Sequence, residues 1–275
     1  MMDVDATDMC CLYTWSVTCD YQLSLLATVL LFILIRNRKL GYVAFGIAFL
    51  LALFIPGFIT YRNNLFVSPV PTIQHAMYYR ENNNNIIYTK SYARAGSYLV
   101  GMAMGYVIFQ YNPAKYRNTI SKKWSVIGII VAITLMLASM AAGKITTDNP
   151  YDPIEFSIIS AINRPVWAIA VCIIIGICEY GNSLYIRNIL SWRVFIPLSR
   201  LSYGMYLSHL AIISRNVSSS RSPNTFDMFS MTIDALGVFV MATAVSAVLW
   251  ILVEAPLNKI SGHFLFRRNK EDIKK

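Results

Sequence analysis

Charged residues are scarce in this sequence: Asp, Glu, Lys and Arg together fill 14% of its 275 positions, whereas apolar residues fill 56%. A soluble domain of this size usually carries about a quarter charged residues. The charges are also bunched, with long uncharged stretches between them. Such stretches leave too little polar surface to cover a soluble helical protein, so the composition indicates an integral, multi-pass membrane protein.

Seven stretches approach the roughly 20 mostly apolar residues that a helix needs to cross a bilayer. Runs such as 25–32 are apolar on every face and lack the alternation of barrel strands. Backbone groups in lipid must pair within their own segment, so we predict an all-α polytopic transmembrane helical bundle of about seven spans. The stretches are Tyr21–Ile35, Gly41–Ile59, Ala93–Phe109, Trp124–Ala142, Ala161–Cys178, Ile196–Ile213 and Ser230–Val253.

The basic residues predict how the chain is oriented. Of the 24 Lys and Arg, 15 lie in the connections after the first, third and fifth stretches and in the C-terminal tail. The positive-inside rule places these segments, and the C-terminus, in the cytosol, and seven spans then put the N-terminus outside. Residues 1–19 are acidic and lack the basic start and apolar core of a signal peptide, so we expect the first span to act as the insertion signal.

Several catalytic and binding signatures are missing. Histidine occurs only at positions 75, 209 and 263, which argues against a multi-His metal site. A phosphate-binding Gly loop and a His-Glu-x-x-His motif are also lacking. We predict no metal and no permanently bound cofactor. The net charge of +10 does not indicate a nucleic-acid partner, because the basic residues sit at helix ends.

The sixth stretch is unusually polar for a membrane span. At 3.6 residues per turn, its serines, tyrosines and histidine form one stripe, with Leu198, Leu201 and Met205 largely opposite. The stripe either joins helices through hydrogen bonds or lines a water-filled cavity or substrate site. Its members are Ser199, Ser202, Tyr203, Tyr206 and His209.

Arg200 is a charge inside the same stretch, near its predicted cytosolic end. It can reach the interface with its long side chain, or it can be neutralised by Asp234 or Glu254, of which Glu254 is the better candidate.

On the predicted outer side, Asn216-Val217-Ser218 is a glycosylation sequon, so Asn216 is a candidate acceptor. Cys10, Cys11 and Cys19 fall on that side too, where disulfides can form, and their odd number leaves one over.

Blocks along most of the chain resemble the acyltransferase 3 family, in particular its animal group called nose resistant to fluoxetine. Because several blocks occur in the family's order, the resemblance is more specific than any single motif. One departure is Ser91, where the family often has Pro. The blocks are Cys11 with Trp15, Asp20 and Gln22, then Tyr88–Met102, Asn163–Trp167, Leu190–Trp192, Ile196–His209 and Glu254–Pro256.

The resemblance implies acyl transfer from an acyl thioester, with acyl-CoA as co-substrate, to a hydroxyl on a small-molecule or lipid acceptor. It implies that Arg200, Tyr203, Tyr206, His209 and Glu254 line the acyl-transfer cavity. There the His would act as general base, and the Arg would steady the donor's anionic groups or the developing oxyanion. Family members carry their primary Arg and His in a first membrane helix that this sequence does not contain. We therefore expect the chain to be the C-terminal part of the family domain and catalytically incomplete.

The expected organisation is an extracellular segment at 1–20, a partial acyltransferase 3-like membrane domain at 21–260, and a basic cytosolic tail at 261–275. Membrane lipids are the expected surroundings and partners. A second hypothesis is a non-catalytic membrane protein for lipid or small-molecule transport, which suits the uptake associated with the animal members.

Overall fold

The computed structural model describes residues 15–65, 87, 90–148, 152–182, 184–219 and 227–260. Within these residues the fold is all-α. The helices are α1 (Trp15–Arg36), α2 (Arg38–Arg62), α3 (Tyr92–Gln110), α4 (Lys122–Asp148), α5 (Pro153–Tyr180), α6 (Leu184–Leu190), α7 (Phe195–Ser219) and α8 (Met228–Leu249), followed by a π-helical turn at Trp250–Glu254. In the described part of the chain, one isolated β-bridge, between Ile120 and Gly181, ties the segment before α4 to the end of α5.

Each of the seven predicted stretches lies within one of these helices, the seventh continuing into the π-helical turn, so the helical prediction is confirmed. Among the described residues, five helices are long and apolar enough to cross a membrane: α1, α2, α4, α5 and the helix that continues from Met228 to Ile260. The other two, α3 and α7, are more polar because they carry Arg94, Arg200 and His209. The side of the membrane on which each terminus lies stays a prediction.

The surfaces of these helices are apolar. In α2, for example, Leu50, Phe54 and Phe58 are more than half exposed. Only 17% of the residues in the most apolar 18-residue segment of this helix are buried. An exposed apolar surface this extensive would be unfavourable in water but is the normal lipid-facing surface of a membrane protein. The described helices therefore place the protein within a membrane.

Residues 1–187 form one compact unit, which contains α1 to α5. Its central helix is α5, which packs against α2, α3 and α4. The side chains of Leu23, Leu30, Ala52, Ala95 and Leu99 form a core between α1, α2 and α3. Cys19 is buried in α1, which begins at Trp15, whereas Cys10 and Cys11 lie outside the described residues. The predicted outer segment and the basic tail, apart from residues 15–20, also lie outside them.

Local sequence signals set several helix boundaries in this unit. Asn37 separates α1 from α2, and its side chain accepts hydrogen bonds from the amides of Lys39 and Leu40 at 3.1 and 3.3 Å. Asp152 caps α5 by accepting from the amide of Ile154 at 2.9 Å, with Pro153 at the first helical position. Both caps satisfy amides that have no partner within the helix. The sequence prediction started the fifth span at Ala161, eight residues after the observed start of α5.

A buried hydroxyl pair links α2 to α5. Thr60 is fully buried, and its hydroxyl contacts the Pro56 carbonyl at 2.8 Å and the Ser160 hydroxyl at 2.9 Å. We expect Thr60→Val to lower the free energy of unfolding by about 0.5–1 kcal/mol, the usual worth of an interhelical hydrogen bond in membranes. Unfolding in mixed micelles would measure this.

Thr134→Val is the matched control, since the Thr134 hydroxyl is exposed and bonds only to the Ile130 carbonyl of its own helix. An equal loss of stability in both variants would show that the link between α2 and α5 contributes nothing beyond a local helix effect.

Residues 188–275 form a second unit, whose described part centres on α7 and α8. The two helices pack directly against each other, and the π-helical turn at the end of α8 also contacts α7. This second unit contains all five of the site residues predicted from the sequence.

Candidate functional site

Small and sulfur-containing residues of α7 face α8. The Ser246 hydroxyl donates a hydrogen bond to the Leu201 carbonyl at 2.6 Å, and the Thr243 hydroxyl lies 3.7 Å from the Met205 sulfur. Gly204, between these two contacts, lets the helices approach closely, because a Cβ there would lie 3.1 Å from the Cβ of Ser246. Leu201 and Met205 thus lie on the side of α7 that packs, as expected from their position opposite the polar stripe.

The polar stripe of α7 faces away from α8. Tyr203 is 54% exposed and Tyr206 is 36% exposed. The hydroxyls of Ser199 and Ser202 donate to carbonyls three residues earlier in their own helix, those of Ile196 and Ser199. These serines therefore do not join α7 to α8. The other role predicted for the stripe, lining a water-filled cavity or substrate site, stays a prediction.

His209 is held by the backbone of its own helix. Its Nδ1 lies 2.6 Å from the Tyr206 carbonyl oxygen and 3.3 Å from that of Met205. A carbonyl oxygen can only accept, so Nδ1 carries the proton and Nε2 is the basic nitrogen of the neutral ring. The rings of Tyr206 and His209 are tilted at 44°, with centroids 5.6 Å apart. The structure thus brings together two of the predicted site residues.

Arg200 has a different partner from the one predicted. Its guanidinium carbon lies 5.9 Å from the centre of the Trp250 ring, a cation–π contact with the first residue of the π-helical turn. Within the described part of the chain Arg200 forms no ion pair with Glu254 or Asp234, so of the predicted alternatives neutralisation by one of these acids is not observed. The Trp250 ring therefore makes the contact with Arg200 that a carboxylate was expected to make. Glu254 is half-buried and is the last residue of the π-helical turn.

Arg200 and His209 lie on opposite sides of α7. They are nine residues apart, which is about two and a half turns and about 14 Å along a helix. Arg200 lies at one edge of the side of α7 that packs against α8, next to Trp250. His209 lies at the opposite edge of that side. A single reacting carbonyl bound at His209 is therefore too far from Arg200 for a direct contact. Asn216, the predicted glycosylation acceptor, is exposed in the last turn of α7.

The first unit contains a polar cavity of about 460 Å³ that the sequence interpretation did not identify as a site. It lies between α3, α4 and α5, in the part of the unit nearest the start of α3. Six of its seven lining residues are serine, asparagine, arginine or tryptophan, and apolar atoms make most of the wall. The lining residues are Arg94, Ser97, Ser139, Met140, Asn163, Arg164 and Trp167.

The cavity wall is fixed by contacts between helices that are distant in sequence. Arg164 of α5 donates to the Ala93 carbonyl of α3 at 3.0 Å, and Ser139 of α4 bonds to the Asn163 side chain at 2.5 Å. Arg94 lies over the ring of Trp15 of α1, at 4.3 Å from its centre. These contacts hold the arginines, which are costly within a span, against carbonyl and aromatic partners.

Ser91 adds a further contact from α1 to the start of α3. Its hydroxyl donates to the Gln22 side chain at 2.5 Å. A proline at this position, which the family often has, could not make this bond. The departure from the family pattern therefore gains a hydrogen bond between helices.

Three of the six blocks that carried the family resemblance lie at or beside this cavity. Arg94 of the second block and Arg164 and Trp167 of the third line it. Trp15 and Gln22 of the first block contact Arg94 and Ser91 beside it. The sequence signal that could have found the cavity was the presence of Arg94 and Arg164 beside or inside apolar stretches.

Comparison with known proteins identifies the family of the chain. The sequence profile of the acyltransferase 3 family, described as an acyltransferase domain, matches residues 3–251. The chain belongs to the acyltransferase 3 family. The match covers the helices of both units, including the polar cavity of the first and the polar stripe of α7.

A curated relative is the Nose resistant to fluoxetine protein 6 of Caenorhabditis elegans, with 26% identity over 275 positions that cover 95% of this chain. The chain spans 33% of the length of that relative. No solved structure matches the chain significantly. As a member of the acyltransferase 3 family, the protein is an acyltransferase-like integral membrane protein.

Proposed function

We propose that this family member takes part in acyl transfer from an acyl thioester, with acyl-CoA as co-substrate, to a hydroxyl of a small-molecule or lipid acceptor. The observation that carries the proposal is the contact between His209 Nδ1 and the Tyr206 carbonyl oxygen, which are 2.6 Å apart. Because a carbonyl oxygen can only accept, this contact keeps the proton on Nδ1 and leaves Nε2 available as a base. Among the described residues, Nε2 has no protein partner that would occupy it.

In the proposed step, Nε2 of His209 takes the proton of the acceptor hydroxyl as its oxygen attacks the thioester carbonyl carbon. The imidazolium is stabilised by the carbonyls of Tyr206 and Met205, which point their negative ends at Nδ1. The tetrahedral intermediate then collapses, the carbon–sulfur bond breaks, and the thiolate takes the proton from Nε2. The products are the acylated acceptor and the free thiol, with the histidine returned to its starting form.

We assign Arg200 to the anionic end of the donor. Its position about 14 Å along α7 from His209 argues against direct contact with the developing oxyanion. In acyl-CoA the phosphates are separated from the thioester by the pantetheine arm, so a remote arginine suits them. Tyr203 and Tyr206, exposed on the stripe between these two positions, are assigned to the wall along which the donor lies.

The test of the proposed function is turnover of labelled acyl-CoA by the protein expressed from its natural transcript and purified in lipid nanodiscs. We expect release of free CoA together with transfer of the label to a hydroxyl-bearing lipid or small molecule. CoA release without a labelled acceptor product would indicate thioester hydrolysis and contradict the transfer step. No release with any acyl chain length would contradict the enzyme proposal as a whole.

A second candidate function is transport of a lipid or small molecule without catalysis, and the polar cavity of the first unit favours it. Its wall carries two arginines, two serines and an asparagine, and among the described residues no acidic side chain lines it. Such a wall suits an anionic or hydroxyl-rich solute. Uptake of such a solute into proteoliposomes, with no CoA release in the turnover assay, would favour this function over acyl transfer.

A further inference from the structure

A larger cavity, of about 830 Å³, lies beside α1, α3 and the start of α2 in the first unit. Its wall follows α3 from Tyr98 to Gln110, which corresponds to about 18 Å of helix. The volume is within the roughly 300–1,000 Å³ of small-molecule sites. We call this cavity the α1–α3 groove.

Two glycines of α3 create the space. Gly101 and Gly105 lie one turn apart in the wall of the groove, and a Cβ at either position would meet no atom within 4 Å. Ala27 and Leu31 of α1 form the facing apolar wall. The groove is therefore an elongated apolar channel that is open because two positions of α3, one turn apart on the same face, have no side chain.

One end of the groove is cationic and polar. Arg38, in the first turn of α2, lines it together with Tyr106 and Gln110. Arg36 and Lys39 lie within two residues of Arg38 in the sequence, so this end of the groove has three positive charges within four residues. The Tyr106 hydroxyl lies 3.2 Å from that of Tyr42 and adds hydrogen-bonding capacity.

The groove also opens toward the lipid-facing surface. Ile35 and Phe109, which border its cationic end, are 84% and 83% exposed. Apolar residues this exposed at the end of a membrane helix lie against the surrounding lipid. A ligand can therefore enter the groove sideways from the bilayer.

We propose that the α1–α3 groove binds an anionic membrane phospholipid, with one acyl chain along Gly101 and Gly105 and the phosphate on Arg38. The apolar channel matches the chain, and the positive charges lie at the helix ends, where headgroups are found. Arginine binds phosphate through paired, charge-assisted hydrogen bonds, which gives selectivity for anionic headgroups. The proposal does not depend on acyl transfer at His209.

The test uses a phosphatidylglycerol with a photoreactive diazirine in one acyl chain, crosslinked to the protein in nanodiscs and mapped by peptide mass spectrometry. We expect labelled peptides from α1 around Ala27–Leu31 and from α3 around Gly101–Phe109. Gly101→Leu combined with Gly105→Leu should lower this labelling by about tenfold, because the leucines fill the channel. Gly46→Leu is the matched control: its Cβ also meets nothing within 4 Å, but it lies outside the groove.

Headgroup selectivity tests the role of Arg38 without changing the channel. Loss of a charged hydrogen bond in Arg38→Gln should lower labelling by phosphatidylglycerol about tenfold and leave labelling by the phosphatidylcholine analogue unchanged. Equal labelling of the unmutated protein by both lipids would overturn the proposal. Competition by acyl-CoA but not by unlabelled phosphatidylglycerol would also overturn it and assign the groove to a different ligand.

Discussion

Replacement of His209 by Gln is expected to lower kcat/KM for acyl transfer by about 10²–10⁴-fold, the usual contribution of a general base. Gln is uncharged and similar in length, and it leaves the backbone hydrogen bonds of α7 in place. It cannot accept a proton at the position of Nε2, and the acceptor hydroxyl would have to attack without deprotonation. The measurement is steady-state release of CoA by the protein expressed from its natural transcript.

Ser202→Ala is the control for this variant. Ser202 lies on the same polar stripe, and its hydroxyl bonds only to the Ser199 carbonyl of its own helix, at 2.7 Å. We expect it to retain nearly full activity. If His209→Gln kept kcat/KM within about threefold of the unmutated protein, His209 would not be the base and the proposed site would be wrong. Equal thermal stability of both variants would show that the loss is chemical and not structural.

The helices of this protein could be predicted from the sequence because their cause is local. Each long apolar stretch must form its own hydrogen bonds in lipid, so composition alone located all seven. The error at the start of α5 has the same origin. The missed first eight residues, 153–160, contain Glu155, Ser157 and Ser160, which interrupt the apolar pattern, although Phe156 and Ser160 are buried within the unit. A search for apolar stretches therefore found only the more hydrophobic end of the helix.

The site could be predicted only in part because its contacts join distant residues. The periodicity of α7 placed Leu201 and Met205 opposite Ser199, Ser202 and Tyr203, which required knowledge of one helix only. The Arg200–Trp250 contact depends on how α7 meets the π-helical turn, and charge alone suggested Glu254 instead. The polar cavity depends on three helices and α1 meeting around Arg94 and Arg164, and no spacing along the chain indicates that.

The second large effect is expected at Gly204, where α7 and α8 approach most closely. A Cβ at this position would lie 3.1 Å from the Cβ of Ser246 and 3.3 Å from its Cα, and it would press on the hydroxyl. Ser246 is 99% buried and its hydroxyl is bonded to the Leu201 carbonyl at 2.6 Å, so it cannot move aside without losing that bond. Gly204→Val should lower the free energy of unfolding by about 1–3 kcal/mol, as overpacking usually does.

Gly237→Val is the matched control, because Gly237 lies on α8 in the same unit and a Cβ there would meet no atom within 4 Å. Unfolding in mixed micelles should show little change for it.

The double variant Gly204→Ala with Ser246→Gly should be less destabilised than the sum of the single variants, with an interaction energy of about 0.5–3 kcal/mol. Additive losses would mean that the two residues do not touch, and the packed side of α7 would have to be reassigned. Because His209 lies one turn beyond Met205 on the same helix, a displaced α7 should also lower acyl transfer, whereas the double variant should restore part of it.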